Sequence, residues 1–203
     1  VRAGLEVEGG PVILIEAVDC CGGGAAGDSV ATLSALLAAD LDGPALVPLV
    51  DAQAAGLCHR AGVGAEVELE IGHRHDPRWG QPIAVRGRVR RLSDGRFRYK
   101  GGIWEGLYGE MGPTAVLDLG WVQVLIASHP TYEWDHEQFA ALGMEAGTAR
   151  FIVAKNPMNY RLAYGAIAKD VFVLDTPGPT PATVVHLPFV RRSRPFFPLD
   201  TDW

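Results

Sequence analysis

Cysteine is scarce in this chain, with Cys20, Cys21 and Cys58 the three examples in 203 residues. Adjacent Cys20 and Cys21 do not pair in ordinary disulfide geometry, and an odd count suits no disulfide framework. This usage favours a reducing, cytoplasmic setting. No C-x-x-C spacing exists, so the thiols offer no zinc-ligand pattern. A helix start lowers thiol pKa, but most buried cysteines are inert, which weighs against a reactive Cys20. Long apolar runs are also missing, and none approaches the ~20 residues of a membrane span. There is no excess of basic charge: 18 Lys and Arg against 24 Asp and Glu give a net charge of -6. That balance argues against a nucleic-acid or anionic-membrane partner. H-E-x-x-H, G-x-S-x-G and G-x-x-x-x-G-K-[ST] are absent. The chain begins at Val1 without the basic-then-apolar pattern of a signal peptide, and is expected to be a piece of a longer protein.

Hydrophobic content is 48%, enough for a sizeable core. The most informative segment is Asp19-Cys20-Cys21-Gly22-Gly23-Gly24-Ala25-Ala26-Gly27-Asp28-Ser29. An apolar run at 12–18 reads as a buried strand before it. Val30, Leu33, Leu36, Leu37 and Leu41 follow with helical spacing. Strand, triple glycine and helix start together predict bare N–H groups at a helix N-terminus, suited to a carboxylate or phosphate. The same residues also fit a tight turn capped by Asp28 or Ser29. Both readings stay open at this point.

Strand and helix patterns alternate at both ends of the chain. Residues 44–50 read as a strand, and Asp51 caps a short helix stopped by Gly62. Residues 151–154 and 171–174 read as strands around a helix at about 158–168. In the middle, Glu66, Glu68 and Glu70 alternate with Val67, Leu69 and Ile71, while Arg86, Arg88 and Arg90 fall on a second alternating strand. Antiparallel pairing with opposite charges across the ladder is the expected result, on a solvated face. Residues 115–118 and 121–127 complete this section around Leu119-Gly120. The fold class is therefore α/β: a mainly parallel sheet flanked by helices, with an antiparallel β section in the middle. One domain over 1–203 is expected, with 1–64 and 148–186 as the α/β part and 65–128 as the antiparallel part. Residues 187–203, rich in Pro, Phe and Arg, are expected to form an extended strap docked on a surface.

His73-Arg74-His75-Asp76 places two histidines at strand spacing, but no third ligand lies nearby, so a polar loop is preferred to a metal site. His59, His129, His136 and His186 are scattered without ligand spacing. Lys155-Asn156-Pro157-Met158-Asn159-Tyr160-Arg161 follows a predicted strand, at the end where open α/β sheets bind ligands. If that strand lies parallel to the first, Lys155, Asn159 and Arg161 share an edge with Gly22, Gly23 and Gly24. They would surround an anionic or carbonyl-bearing ligand. Alternatively, Lys155 neutralises Asp19 or Asp175.

The pattern Asp19-x-x-Gly22-Gly23-Gly24-x-x-Gly27-Asp28-Ser29 resembles the D-N-P-G-G-G-x-P-G-D-[ST] signature of the MlrC (microcystin-degradation protein) family C-terminal domain, an M81-type metallopeptidase-like family. The resemblance continues from Asp51 to Gly72, recurs from Val153 through Lys155 to Tyr164, and ends at Arg194-Pro195-x-x-Pro198-Leu199-Asp200. Cys20 and Cys21 stand where Asn and Pro are usual. Asn156, Asn159 and Tyr160 replace Ser, His and Phe, while Lys155 and Arg161 are kept. An amide exchanges no proton near neutral pH, so no acid–base role is expected at Asn159. The resemblance implies a zinc-dependent hydrolase acting on small or linearised peptides. In it an N-terminal domain, absent here and the partner of this one, would hold the metal. This chain would line the cleft, with Asp19, Gly22, Gly23, Gly24, Asp28, Ser29, Lys155, Asn159 and Arg161 on the substrate side. A homo-oligomer is compatible with it. The residues alone leave open a non-catalytic anion- or phosphometabolite-binding module and a structural or dimerisation module.

Overall fold

The computed structural model describes residues 1–133, 136–185 and 187–200. His186 and strap residues 201–203 thus lie outside the described residues. In chain order the elements are α1 (Arg2–Leu5), β1 (Val12–Glu16), α2 (Ala31–Leu37), β2 (Ala45–Val50) and α3 (Ala52–Ala61). Then come β3 (Glu66–Ile71), β4 (Ile83–Ser93), β5 (Arg96–Arg98), β6 (Tyr108–Glu110), β7 (Thr114–Asp118) and β8 (Val122–Ala127). The chain continues through α4 (Glu137–Ala141), β9 (Phe151–Ala154), α5 (Tyr160–Tyr164) and β10 (Asp170–Leu174).

Eight strands form one sheet in the order β10-β1-β9-β2-β8-β7-β4-β3, and β5 pairs with β6 in a separate hairpin. From β10 to β8 the neighbours are parallel, and from β8 to β3 they are antiparallel. The fold is α/β, as the alternating patterns imply. Strands β1 and β9 are buried at every position, which is why Val12–Ile15 and Phe151–Ala154 are unbroken apolar runs rather than alternating ones. Val12, Leu14, Val47, Leu49 and Val153 pack with α2 and α3 on one face. Ile13, Ile15, Leu46, Ile152 and Ala154 pack on the other with α4, α5 and the β5–β6 hairpin.

The middle section differs from its expected form in one respect. Strand β8 pairs antiparallel with β7 but parallel with β2, from Ala45↔Val122 to Val50↔Ala127. It thus joins both parts of the molecule in one sheet, and five of its six residues are buried. The charge ladder is as the alternation predicts: Glu66 faces Arg88 and Glu68 faces Arg86. The Arg88–Glu66 contact is 2.9 Å and the Arg86–Glu68 contact 3.9 Å, both exposed. Such pairs contribute about 0.2–1 kcal/mol each, so register is their main effect.

Asp51 caps α3 through Oδ1, which accepts from the Ala54 N–H at 2.9 Å. Helix α5 is shorter than the expected 158–168, because Asn159 opens it and the chain leaves it at Gly165. Arg150, just before β9, is buried. Its guanidinium donates to the carbonyls of Gly4, Leu5, Val7 and Gly9 and to Asp42. That cage holds the first ten residues at the amino ends of the strands. In the strap, the described ring contacts and ion pair lie within the segment itself. Residues 188–195 are exposed, and the segment folds on itself through a Phe189–Phe196 edge contact and an Arg194–Asp200 ion pair. Three prolines between 188 and 198 remove the N–H groups that strand pairing would need.

Candidate functional site

Strands β1 and β9 are neighbours, yet the chain leaves β1 toward β2 and leaves β9 toward β10, on opposite sides. Such a switch point opens a crevice at the carboxyl ends of the strands. Asp19, Cys20 and Cys21 descend into it from β1, and Lys155 and Asn156 from β9. Residues 130–133, after β8, close it from the side.

Asp19 organises the loop. Its Oδ1 accepts from the Gly27 N–H and its Oδ2 from the Ser29 N–H, each at 2.8 Å. Lys155 Nζ lies 2.6 Å from Asp19 Oδ2, 3.2 Å from Glu16 Oε2 and 2.9 Å from the Ser29 carbonyl. An ammonium has three hydrogens, and three acceptors surround this one. Burial disfavours the Lys155 charge, but Glu16 and Asp19 outweigh it and hold its pKa above the ordinary value. Ser29 Oγ donates to Glu16 at 2.8 Å and accepts from the Ala31 N–H at 3.3 Å. Glu16, the last residue of an apolar strand, is therefore part of the cluster.

The glycines sit elsewhere than the sequence suggests. Cys21–Gly23 is its own 3-10 turn, and α2 begins only at Ala31, with Val30 as its N-cap. The Gly23 and Gly24 N–H groups bond to the carbonyls of Cys20 and Cys21, so those donors are spent within the loop. Each glycine has a local reason. A Cβ on Gly22 would lie 2.4 Å from the Tyr132 ring, and one on Gly23 would lie 2.8 Å from Thr180, while Gly24 holds φ at 91°. Nor does Asp28 cap α2. Its Oδ2 accepts from the His75 N–H at 2.7 Å, and its carbonyl from the His73 N–H at 2.8 Å. Exposed His75 and buried His73 thus belong to a polar loop tied to residue 28, with no shared ligand geometry.

The crevice holds a cleft of about 40 Å³, room for a few water molecules. Its floor is apolar, with Leu49, Met111, Leu125 and Phe139, and its rim carries Cys21, His129, Tyr132, Glu133 and Lys155. Glu133 Oε2 accepts from the Lys155 N–H at 2.7 Å. Burial raises its pKa to about 7, and Asp19 adds to the rise while Lys155 opposes it. Burial with the charges of Glu133 and Asp19 pushes Cys21 up to about 12, so Cys21 is a thiol rather than a nucleophile at neutral pH. Asn156 fixes the wall by donating to the Glu133 carbonyl. The β5–β6 hairpin supports it too: the Tyr99 hydroxyl donates to the Tyr132 carbonyl at 2.9 Å, and Trp104 packs on the Tyr132 ring. Asn159 is buried at the start of α5, and Arg161 is exposed with its guanidinium over the Tyr160 ring. Neither lines the cleft.

The family model for the MlrC C-terminus matches residues 14–191. The chain belongs to the MlrC C-terminus family. It is 26% identical over 193 residues to Microcystinase C of a Sphingomonas species, a match that covers 94% of this chain and 36% of that protein. It also superimposes on the crystal structure of a "putative metallopeptidase" from Mesorhizobium sp. BNC1. The TM-score is 0.84 and the identity 27%, over all of this chain and 40% of the other. The MlrC-type chain thus spans less than half the length of either relative.

The name of the second raises the question of a metal. Among the described residues of this MlrC domain, no group of three or more His, Cys, Asp or Glu could hold one. The buried carboxylates Glu16 and Asp19 are already bound to Lys155 and to backbone N–H groups. The described residues therefore do not fit a zinc ion. Sequence reasoning found Asp19 and Lys155 but missed Glu16, Tyr132 and Glu133. The signal for Glu133 was its place in a polar stretch directly after the apolar run 122–127, at a strand's carboxyl end.

Proposed function

We propose that this chain is the cleft-lining part of an MlrC-like zinc-dependent hydrolase that acts on small or linearised peptides, with the metal held outside residues 1–203. The carrying observation is the cleft at the β1–β9 switch point, in a chain whose family match runs through every strand around it. Here the cluster of Glu16, Asp19, Ser29 and Lys155 is a rigid support. It fixes the 19–29 loop and the start of the segment after β9, so that Gly22, Tyr132 and Glu133 meet the substrate in one geometry. The anion-binding reading loses its donors, because Lys155 and the Gly23 and Gly24 N–H groups are already engaged. Exposed Arg161 and buried Asn159 stay outside this role.

A chimaera tests the reading. Replacing the matching segment of Microcystinase C with this chain should retain microcystinase activity, and Tyr132→Ala in the chimaera should lower kcat/KM about tenfold or more. The isolated chain should neither hydrolyse peptides nor bind zinc stoichiometrically. Tight zinc binding by the isolated chain, measured calorimetrically, would overturn this division of labour.

A further inference from the structure

We infer that the cleft at the β1–β9 switch point binds a small aliphatic primary ammonium group, with Glu133 as its counter-ion. The inference rests on the proposed function in one respect only: there, the ammonium is an amino group carried by the peptide.

Charge counting leads to it. Glu16, Asp19 and Glu133 are three buried carboxyl groups around one ammonium, Lys155. All three Lys155 hydrogens face Asp19, Glu16 and the Ser29 carbonyl, so none is left for Glu133 or for a ligand. Glu133 receives one backbone N–H on Oε2, and among the described residues its Oε1 has no hydrogen-bond partner. A buried carboxylate in that position calls for a proton or a cation. Burial, and to a lesser extent Asp19, raise the Glu133 pKa, which shows that Lys155 does not compensate its charge in full. An anion meets the opposite situation, with carboxylates facing it and with Lys155 and the Gly23 and Gly24 N–H groups already engaged. Shape adds the second requirement. An apolar floor of Leu49, Met111, Leu125 and Phe139 under a carboxyl rim suits a short alkyl chain with a charged end.

The experiment uses the 203-residue chain and n-propylammonium chloride, with n-propanol and sodium propionate as matched probes, followed by amide NMR shifts. The titratable groups around Glu133 among the described residues are Asp19, Cys20, Cys21, Tyr99, His129, Tyr132 and Lys155. Titrations at about pH 5.5 and about pH 8.5 bracket its value of about 7. Saturable shifts around Glu133 and Lys155, about 30-fold tighter at the higher pH, are expected for propylammonium alone. Glu133→Gln still accepts the Lys155 N–H and should weaken binding about 10–100-fold. A second measurement needs no variant: the Glu133 carboxyl midpoint in the native chain should fall when propylammonium is added. Equal binding of propanol or propionate, unchanged affinity in E133Q, or an unmoved midpoint would overturn the inference. No hydrolysis is involved, so this outcome and that of the chimaera are independent.

Discussion

Lys155 and Glu133 meet in the same crevice, where the Lys155 N–H donates to Glu133 Oε2, and they answer to opposite conditions. Lys155 is held by two buried carboxylates. Lys155→Met would leave Glu16 and Asp19 buried without a cation, and such uncompensated charges cost about 3–5 kcal/mol. Urea unfolding should register that loss. Glu133 titrates the other way. Its folded pKa of about 7 stands above the ordinary 4.5, so the folded chain keeps a proton that the unfolded chain has released. Stability therefore falls as pH rises from about 4.5 through about 7, by roughly 3 kcal/mol in all. Glu133→Gln should flatten that slope, being close to wild type near pH 4 and more stable near pH 8. Parallel slopes for the two proteins, from urea midpoints across this range, would remove Glu133 as the titrating group.

At the scale of elements, the loop after β1 is fixed by contacts from three others. Gly22 lets the Tyr132 ring approach, Thr180 donates to the Ala17 carbonyl and covers Gly23, and Lys155 reaches across from β9. Gly22→Ala should cost about 1–3 kcal/mol by overpacking. Most of that cost should vanish in a Tyr132→Ala background, a non-additivity that a double-mutant cycle measures. Gly24→Ala strains the positive φ of 91° instead, and Tyr132 truncation should not relieve it. These contacts also separate what could be read in the chain from what could not. Period and apolar runs are local, so β1, β2, β9 and the antiparallel pairing of the Glu-rich and Arg-rich strands followed from spacing, whereas the Glu66–Arg88 register came from the structure. Asp19 and Lys155 were legible as companions once two strands were taken as parallel neighbours. The partners of Gly22 and Gly23 lie more than 100 residues away. Nothing near the glycines distinguishes a ligand's approach from that of a Tyr ring. Glu16 was hidden for a similar reason: it ends an apolar strand, and only the fold places a lysine beside it.

For the whole molecule, the cleft and the amino-terminal segment lie at opposite ends of the parallel strands. Arg150→Leu strips the carbonyls of Gly4, Leu5, Val7 and Gly9 of their donor. Hydrogen exchange should then speed up over residues 2–10 and stay unchanged around Asp19 and Glu133. Acceleration at both ends would mean that the two are one cooperative unit. The same cage has a mechanical consequence. Tension applied at the amino end runs first into a single guanidinium spread over four carbonyls, and only afterwards into β1, which is gripped on both edges by parallel neighbours. Under a pulling force the cage acts as a fuse: it should yield as a short early extension, leaving the sheet and its crevice intact until a later, larger event.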